Sequence, residues 1–492
     1  MMRYRVLVAD DEPDINRDRY GLLLSDPDDG FDWTLVGTRD VFEHTDFSQY
    51  DAVILDINLT GWRHMPLGEA VRTIPHPIPI VFASGRWHEE ATIRVIREVL
   101  ADAKDANFVQ ILILDDLRAD TAPLKIRAVR EQLRLAIARA QRYTQLSVGD
   151  DEPIHILHLS DPQYGDPDTD GWAGLAEEQI AKFLYDLCPR LHLVAITGDI
   201  TYQALPSEFD EARSRIGSLL SAVFGAGGQE RLLLVPGNHD VNLRLAAADC
   251  LDFDFKSGHP VVRKGGWDPT GQRRFALAPF CQFAWRLTGD PRWLGAGDLC
   301  WVNESFRHLG LRFIVLNTVS ELDCSSPARA TLPLGTLRKL VPSPRESDRL
   351  FCIALAHHGP ASTPAGPDDV AIGNWPDVAG CLQVAGVRMF IHGHGHERRV
   401  ERLGWDGKPA MVGGRPADGQ LGQEEFLRVM APTSHLAATS PSGVRRRPAG
   451  AARGCNLITL ARRDRQFQKV TVQTVTLDRV QPAGGARQEF RV

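Results

Sequence analysis

Apolar and polar positions in the first third of the chain follow two alternating rhythms. Short β-branched runs, "RVLVADD", "WTLVGT", "DAVILDINL", "IPIVFASG" and "VQILILDD", are separated by stretches in which apolar residues recur every three or four positions. The runs suit buried strands and the intervening period suits amphipathic helices, so residues 4–142 predict a parallel α/β sheet of five strands. The last helical stretch gathers Ile126, Val129, Leu133, Ile137 and Ala140 on one face, with Arg127, Arg130, Arg134 and Arg142 turned elsewhere. Such a stripe suits a core-facing helix or the seam of a homodimer. "TQLSVGDDEP", Thr144–Pro153, is polar and turn-rich, and predicts a linker between domains at 1–143 and 154–492.

A second series of runs begins at Ile154: "IHILHLSD", "LHLVAITGD", "RLLLVPGN", "LRFIVLNT", "FCIALAHH" and "VRMFIHGHGH". Each closes on polar residues, and open α/β sheets gather their ligands at the carboxyl ends of strands. An insert at about 243–310 interrupts them with Phe253, Phe255, Trp267, Phe275, Phe280, Phe283, Trp285, Trp293 and Trp301. It predicts a helical cap packed by its own aromatics, or alternatively a base-stacking surface.

A chain of 492 residues exceeds one ordinary core, which fits two or three domains. The net charge of −7 argues against coating nucleic acid by bulk electrostatics. Residues 437–492 depart from that balance, with eleven Arg or Lys, including Arg445, Arg446 and Arg447, against three Asp or Glu. They read as basic C-terminal strands with a solvated face, or as a nucleic-acid contact. The eight cysteines follow residue 187 and form no C-x-x-C pair, so neither a disulfide framework nor a zinc ribbon is expected. No signal peptide and no membrane-spanning run of about 18 apolar residues is visible, so a cytoplasmic protein without a membrane partner is expected.

Asp161 closes the run "IHILHLSD", and a carboxylate at the end of a buried strand calls for a positive partner. A metal ion meets that demand. Gln163, two residues on, leaves the same strand end as a second ligand, where histidine is the usual choice. Asp199 in "AITGDI", Asn238, His239 and Asp240 in "VPGNHDVN", His357 and His358 in "ALAHHGP", and His394 and His396 in "IHGHGHER" supply further candidates. Carboxylate, amide and imidazole together suit Mn²⁺, Fe or Zn²⁺.

The order D-x-[HQ], GD, GNHD, H and GHxH resembles the metallophosphoesterase (calcineurin-like) superfamily over roughly Ile154–Val400, with trailing strands such as "CNLITL". The resemblance implies a four-layer α/β/β/α fold and two divalent metal ions, with Asp199 bridging them. Asp161, Gln163 and His396 would complete one site, and Asn238, His357 and His394 the other. It also implies His239 beside the leaving-group oxygen, with Asp240 orienting it and His358 behind the ligands. An amide oxygen is harder and a poorer donor than imidazole, so the Gln163 site leans toward Mn²⁺ or Mg²⁺. The expected activity is hydrolysis of a phosphodiester, a cyclic nucleotide or related nucleotide. A DNA or RNA nuclease in a bacterial signalling or phage-defence system is the alternative, and a non-enzymatic scaffold would require a broken ligand set.

In the first domain Asp10 and Asp11 end the first run, Asp56 the third and Ser84 the fourth. Strand ends of a parallel sheet converge, which places three carboxylates within reach of Mg²⁺. These runs resemble the receiver domain of two-component response regulators over residues 3–143, a five-stranded flavodoxin-like fold. The resemblance implies Asp56 as phospho-acceptor, Asp10, Asp11 and Asp56 as the Mg²⁺ site, Ser84 as the hydroxyl that follows the phosphoryl group, and a sensor histidine kinase as partner. Receivers carry a lysine after the fifth strand, whereas this chain has Asp115 and Asp116 there. A degenerate receiver serving only for docking or dimerisation is the alternative.

Overall fold

The computed structural model describes residues 3–25, 31–57, 59, 61–62, 65–74, 78–84, 107–113, most of 126–141, 146, 148–167, 175–188, 190–225, 228–242, 251–254, 259–262, 273–290, 293, 300–320, 322, 330–340, 350–360, 371–396, 398–412, 415–416, 421–422, 425–434, 453–477 and 483–492. Asp115, Asp116, Phe255, Trp267 and Arg445–Arg447 lie outside them, as do the side chains of Phe253 and Phe275. The chain divides into two compact units, Met1–Ser147 and Val148–Val492.

In the first unit β1 (Tyr4–Ala9), β2 (Phe31–Val36), β3 (Ala52–Asp56), β4 (Pro79–Ser84) and β5 (Asn107–Ile113) form a parallel sheet in the order β2-β1-β3-β4-β5. Strand side chains alternate between faces, so each run feeds two cores. Leu7, Val53, Leu55 and Phe82 pack under Phe42, Leu67 and Val71, whose helices are Arg39–Glu43 and Leu67–Thr73. Val6, Val8, Ile54 and Val81 pack on the other face, under Tyr20 and Leu23 of helix Pro13–Leu24. Ile126, Leu133 and Ile137 join that second core, so the apolar stripe of the last helical stretch is spent on its own sheet.

The second unit contains β6 (Ile154–Leu159), β7 (Leu193–Thr197), β8 (Leu232–Val235), β9 (Leu251–Asp254), β10 (His259–Val262), β11 (Trp301–Asn303), β12 (Leu311–Val315), β13 (Phe351–Leu355), β14 (Val387–His392), β15 (Arg399–Gly404), β16 (Met411–Val412), β17 (Arg415–Pro416), β18 (Glu425–Met430), β19 (Gly454–Arg463), β20 (Gln466–Thr476) and β21 (Ala483–Arg491). Two six-stranded mixed sheets carry the architecture, in the orders β21-β20-β19-β6-β7-β8 and β11-β12-β13-β14-β18-β15. One face of the first packs on helices Leu175–Leu187, Pro206–Phe224 and Arg273–Thr288 through Leu157, Val194, Leu234, Phe183, Ile216 and Phe280. One face of the second packs on helices Leu334–Leu340 and Trp375–Val384 through Ile314, Ala354, Phe390, Leu337 and Val378. The inner faces meet through Phe351 and Phe467, whose rings lie 5.1 Å apart, and through Asn456, which donates to the Met430 carbonyl over 3.2 Å. The layers are therefore helix, sheet, sheet, helix.

Two expectations are resolved by packing. Among the insert aromatics, Phe280, Phe283 and Trp293 are buried, and Phe209 of helix Pro206–Phe224 meets the Phe280 ring edge-on at 6.3 Å and the Phe283 ring at a tilt at 5.2 Å, so these rings serve the core. The far end of the predicted linker is fastened. Arg462 donates to the carbonyls of Gly149 and Glu152 over 2.7 and 3.1 Å, and the Asp464 amide donates to Asp151 over 2.8 Å. No helix among the described residues is long and apolar enough to cross a membrane.

Candidate metal centre

Every ligand-bearing turn follows a parallel strand. Asp161 and Gln163 follow β6, Asp199 follows β7, Asn238–Asp240 follow β8, His357 and His358 follow β13, and His394 and His396 follow β14. The site thus lies where the carboxyl ends of both sheets come together. The turns are knitted by backbone bonds: Asp161 N–H donates to the Gly198 carbonyl over 3.1 Å, Gln163 N–H to the Asp199 carbonyl over 2.9 Å, and Gly393 N–H to the His357 carbonyl over 3.1 Å. His394 N–H crosses between the sheets to Asp161 Oδ2 over 3.2 Å.

Backbone conformation marks the same residues. Among the described residues eight non-glycine positions have positive φ, and five of these are Asp161 (50°), Gln163 (44°), Asp199 (49°), His394 (70°) and His396 (53°). A left-handed conformation costs an L-residue about 1–2 kcal/mol, so its concentration here is strain held at one place. No sequence pattern announced it.

Asp161, Gln163, Asp199 and His357 are buried at the floor, while Asn238, His239, His394 and His396 form a half-buried rim. His357 donates from Nδ1 to the Thr197 carbonyl over 2.8 Å, which turns Nε2 inward. Around that Nε2 lie Asn238 Oδ1 at 3.0 Å, His394 Nδ1 at 3.2 Å and Asp199 Oδ1 at 3.3 Å. Acceptor atoms facing one another at such distances require a positive charge among them, a proton or a metal ion. Burial alone would depress the His357 pKa, but the Asp199 carboxylate beside it pushes it up to about 9. Asp199 is held below the usual carboxylate range despite its burial, chiefly by His357 and then His239.

The neighbouring cluster joins Asp161, Asp199 and His396, whose ligand atoms lie within 4.8 Å of one another. Asp161 Oδ1 is buried, makes no hydrogen bond, and lies 3.3 Å from His396 Nε2. An orphaned carboxylate oxygen beside imidazole and a shared aspartate is a donor set that fits a divalent cation. Gln163 is buried with them and turns its amide nitrogen toward Asp199 Oδ2 at 3.4 Å.

Other residues depart from their expected roles. Asp240 does not orient His239. Its carboxylate accepts from the amides of Ile200 (3.1 Å), Thr201 (2.9 Å) and Gly237 (2.9 Å), so it ties two turns together, and burial followed by the nearby Asp199 pushes its pKa up to about 6. The His239 ring instead donates from Nδ1 to the Tyr202 carbonyl over 2.7 Å and stacks on the Tyr202 ring at 5.9 Å. A backbone carbonyl as orienting partner carries no sequence signature. His358, expected behind the ligands, has a ring nitrogen within 4.8 Å of those of His357 and His394. His392, which the sequence reading passed over, accepts from the buried Arg428 over 2.9 Å and donates to the Gly393 carbonyl over 3.0 Å, which steadies the turn carrying His394.

In the first unit, Asp10, Asp11 and Asp56 place carboxylate oxygens within 4.8 Å of one another at the ends of β1 and β3, and Ser84 ends β4. Asp10 is already well served, since Oδ2 accepts from Tyr20 Oη (2.6 Å) and Asn16 Nδ2 (3.0 Å), and Oδ1 from the Glu12 amide (2.7 Å).

Comparison with known proteins adds a family to this geometry. Residues 154–398 match the calcineurin-like phosphoesterase family model. No curated protein matches the chain. Similar solved structures include a dimetal phosphatase from Danio rerio, at 13% identity over 67% of this chain and 98% of that one, with a TM-score of 0.38. Another is GAP50, the anchor in the inner membrane complex of Plasmodium, at 10% identity over 68% of this chain and 89% of that one, with a TM-score of 0.36. A response regulator receiver domain protein from Clostridium thermocellum matches at 19% identity over 28% of this chain and 98% of that one, with a TM-score of 0.19. From its strand-end turns and its matched segment, the second unit of this chain carries a calcineurin-like phosphoesterase domain at residues 154–398, in which two groups of candidate metal ligands meet.

Proposed function

We infer that this domain is a binuclear metal-dependent phosphodiesterase acting on a nucleotide phosphodiester. The convergence of Asn238, Asp199 and His394 acceptors on His357 Nε2, beside the orphaned Asp161 oxygen, carries the reading. One site would be held by Asp161, Gln163, Asp199 and His396, and the other by Asp199, Asn238, His357 and His394, with Mn²⁺ the favoured ion. Two divalent cations supply Lewis acidity to the phosphoryl oxygens and lower the pKa of water. The chain's own residues do the rest. His239, oriented by the Tyr202 carbonyl and half-exposed at the rim, presents Nε2 to deliver a proton to the departing alkoxide. Asp240 holds the turns that carry Asp199 and His239 in register.

Metal analysis of the purified protein, with hydrolysis of bis(p-nitrophenyl) phosphate in added Mn²⁺, tests the reading. Two ions per chain and turnover are expected, and a metal-free, inert protein would sink it. Cyclic nucleotides, single-stranded DNA and duplex DNA assayed in parallel separate a small-nucleotide phosphodiesterase from a nuclease.

Two variants probe individual roles. His239→Ala is expected to keep both metals and lose about a hundredfold in turnover of alkyl diesters, but only about threefold for nitrophenyl esters, whose leaving groups need no proton. Equal losses for both substrates would remove His239 from the acid role. Gln163→His is expected to tighten its site by about tenfold and move preference from Mn²⁺ toward Zn²⁺, because imidazole is the stronger and softer donor. Identical Mn²⁺ and Zn²⁺ titration curves for the two proteins would confine Gln163 to its bond with Asp199.

The first unit we read as receiver-like, on the order of its five parallel strands and the acid cluster at their ends. Asp56 would accept a phosphoryl group, with a sensor histidine kinase as donor and Mg²⁺ on Asp10, Asp11 and Asp56. The hydrogen bonds that Asp10 accepts from Glu12, Asn16 and Tyr20 fix the turn and hold its carboxylate in that cluster.

A further inference from the structure

His358 follows directly on a candidate ligand and is wholly buried. Its bonding divides as that of His357 does. In His357, Nδ1 is tied to a strand-end oxygen, the Thr197 carbonyl at 2.8 Å, and Nε2 faces the ligand atoms of Asn238, His394 and Asp199. In His358, Nδ1 lies 2.9 Å from Thr318 Oγ1, in the turn after β12, and Nε2 is buried without a hydrogen-bond partner. A hydroxyl both donates and accepts, so Thr318 serves whichever ring nitrogen carries the hydrogen, and Nε2 is free to give its own up to an ion. A buried imidazole with a purely structural duty ordinarily satisfies both nitrogens, as His392 does between Arg428 and the Gly393 carbonyl. A ring nitrogen of His358 lies within 4.8 Å of ligand nitrogens on His357 and His394, and the ring centres of His358 and His394 are 4.4 Å apart. His357 Nε2 and His394 Nδ1 are 3.2 Å apart. Nitrogens bound about 2.1 Å from one ion stand about 3–4 Å from each other, so that pair is already at bonding separation and His358 is within about 1–2 Å of it.

We propose that His358 is a further ligand, through Nε2, of the ion held by His357 and His394, with Thr318 as its positioning residue. The proposal rests on the binuclear reading above and deepens it. Three imidazoles would then meet on one ion, while the neighbouring set of Asp161, Gln163, Asp199 and His396 offers a single one. Nitrogen-rich sets favour Zn²⁺ or Fe and oxygen-rich sets Mn²⁺ or Mg²⁺, so the centre would sort two different ions. The test uses the full chain given one equivalent of Zn²⁺ and then excess Mn²⁺, read by zinc-edge X-ray absorption and by competition titration. The parent is expected to show three imidazoles on zinc and His358→Ala two. The variant is expected to bind Zn²⁺ about thirtyfold more weakly and to keep its Mn²⁺ affinity within about threefold. Thr318→Val, nearly isosteric, is expected to weaken Zn²⁺ about tenfold while three imidazoles remain. Two imidazoles or fewer on zinc in the parent would overturn the proposal, and that measurement needs no variant to fold. Unchanged Zn²⁺ affinity in a folded His358→Ala would also overturn it. A parent that binds neither Zn²⁺ nor Mn²⁺ would instead overturn the binuclear reading itself.

Discussion

Asp199→Asn is expected to reduce metal content from two ions per chain to less than one and to lower turnover by on the order of a thousandfold. Asp199 Oδ1 accepts from the His239 amide over 2.8 Å and lies 3.3 Å from His357 Nε2, while Oδ2 faces Gln163 Nε2 at 3.4 Å. One carboxylate therefore serves both candidate ion positions and the turn that carries His239. Asparagine keeps the shape and removes the charge, so the two cations would repel one another across a neutral amide. It also puts an N–H where only acceptors belong, against either the His239 amide or Gln163. Elemental analysis, turnover and a circular dichroism spectrum together check the result. Two ions retained with activity within tenfold of the parent would remove Asp199 from the bridging position.

Gly237→Ala is expected to weaken metal binding by about ten- to a hundredfold and to destabilise the chain by about 1–3 kcal/mol. The reason is space, not backbone freedom, because Gly237 has φ −106° and ψ 178°, an extended conformation open to alanine. A Cβ there would sit 2.1 Å from the Asp199 amide nitrogen and 2.2 Å from Asp199 Oδ1. Neither atom can retreat without disturbing the ligand set. Gly217 makes the control, since a Cβ on it meets nothing within 4 Å and it lies inside helix Pro206–Phe224, where alanine is favoured. Metal titration and thermal melts of both variants check the pair. A Gly237→Ala protein that binds metal as the parent does would show that the turn after β8 yields freely.

The strands of both units and the strand ends that gather candidate ligands were legible because they rest on side-chain pattern. A buried β-run such as "IHILHL" has no other use, and an aspartate closing it has few partners to choose from. What stayed hidden was carried by the main chain. The Tyr202 carbonyl that orients His239, the Thr197 carbonyl that turns His357 inward and the left-handed turns under five ligand candidates leave no mark on residue identity. Asp240 was misread for the related reason that a carboxylate beside a histidine suggests a pair, whereas backbone amides claimed it first. The dimer-seam alternative for the Ile126–Ala140 stripe fell to the sheet's demand for a cover, which periodicity alone cannot distinguish from a partner's.

The left-handed ligand turns bear on how such a centre can be transplanted. Copying aspartate, glutamine and histidine onto strand ends of another α/β scaffold would reproduce the donor atoms but not their aim, because a right-handed backbone at those positions sends each Cβ elsewhere. A host would have to supply adjacent parallel strands whose turns already bend to φ of about 40–70° at non-glycine positions, as Asp161, Gln163, Asp199, His394 and His396 do here. Scaffolds are thus better screened by backbone angles at their strand ends than by cavity size, and laboratory evolution from a glycine-rich ancestor turn has a shorter path than grafting onto a rigid one.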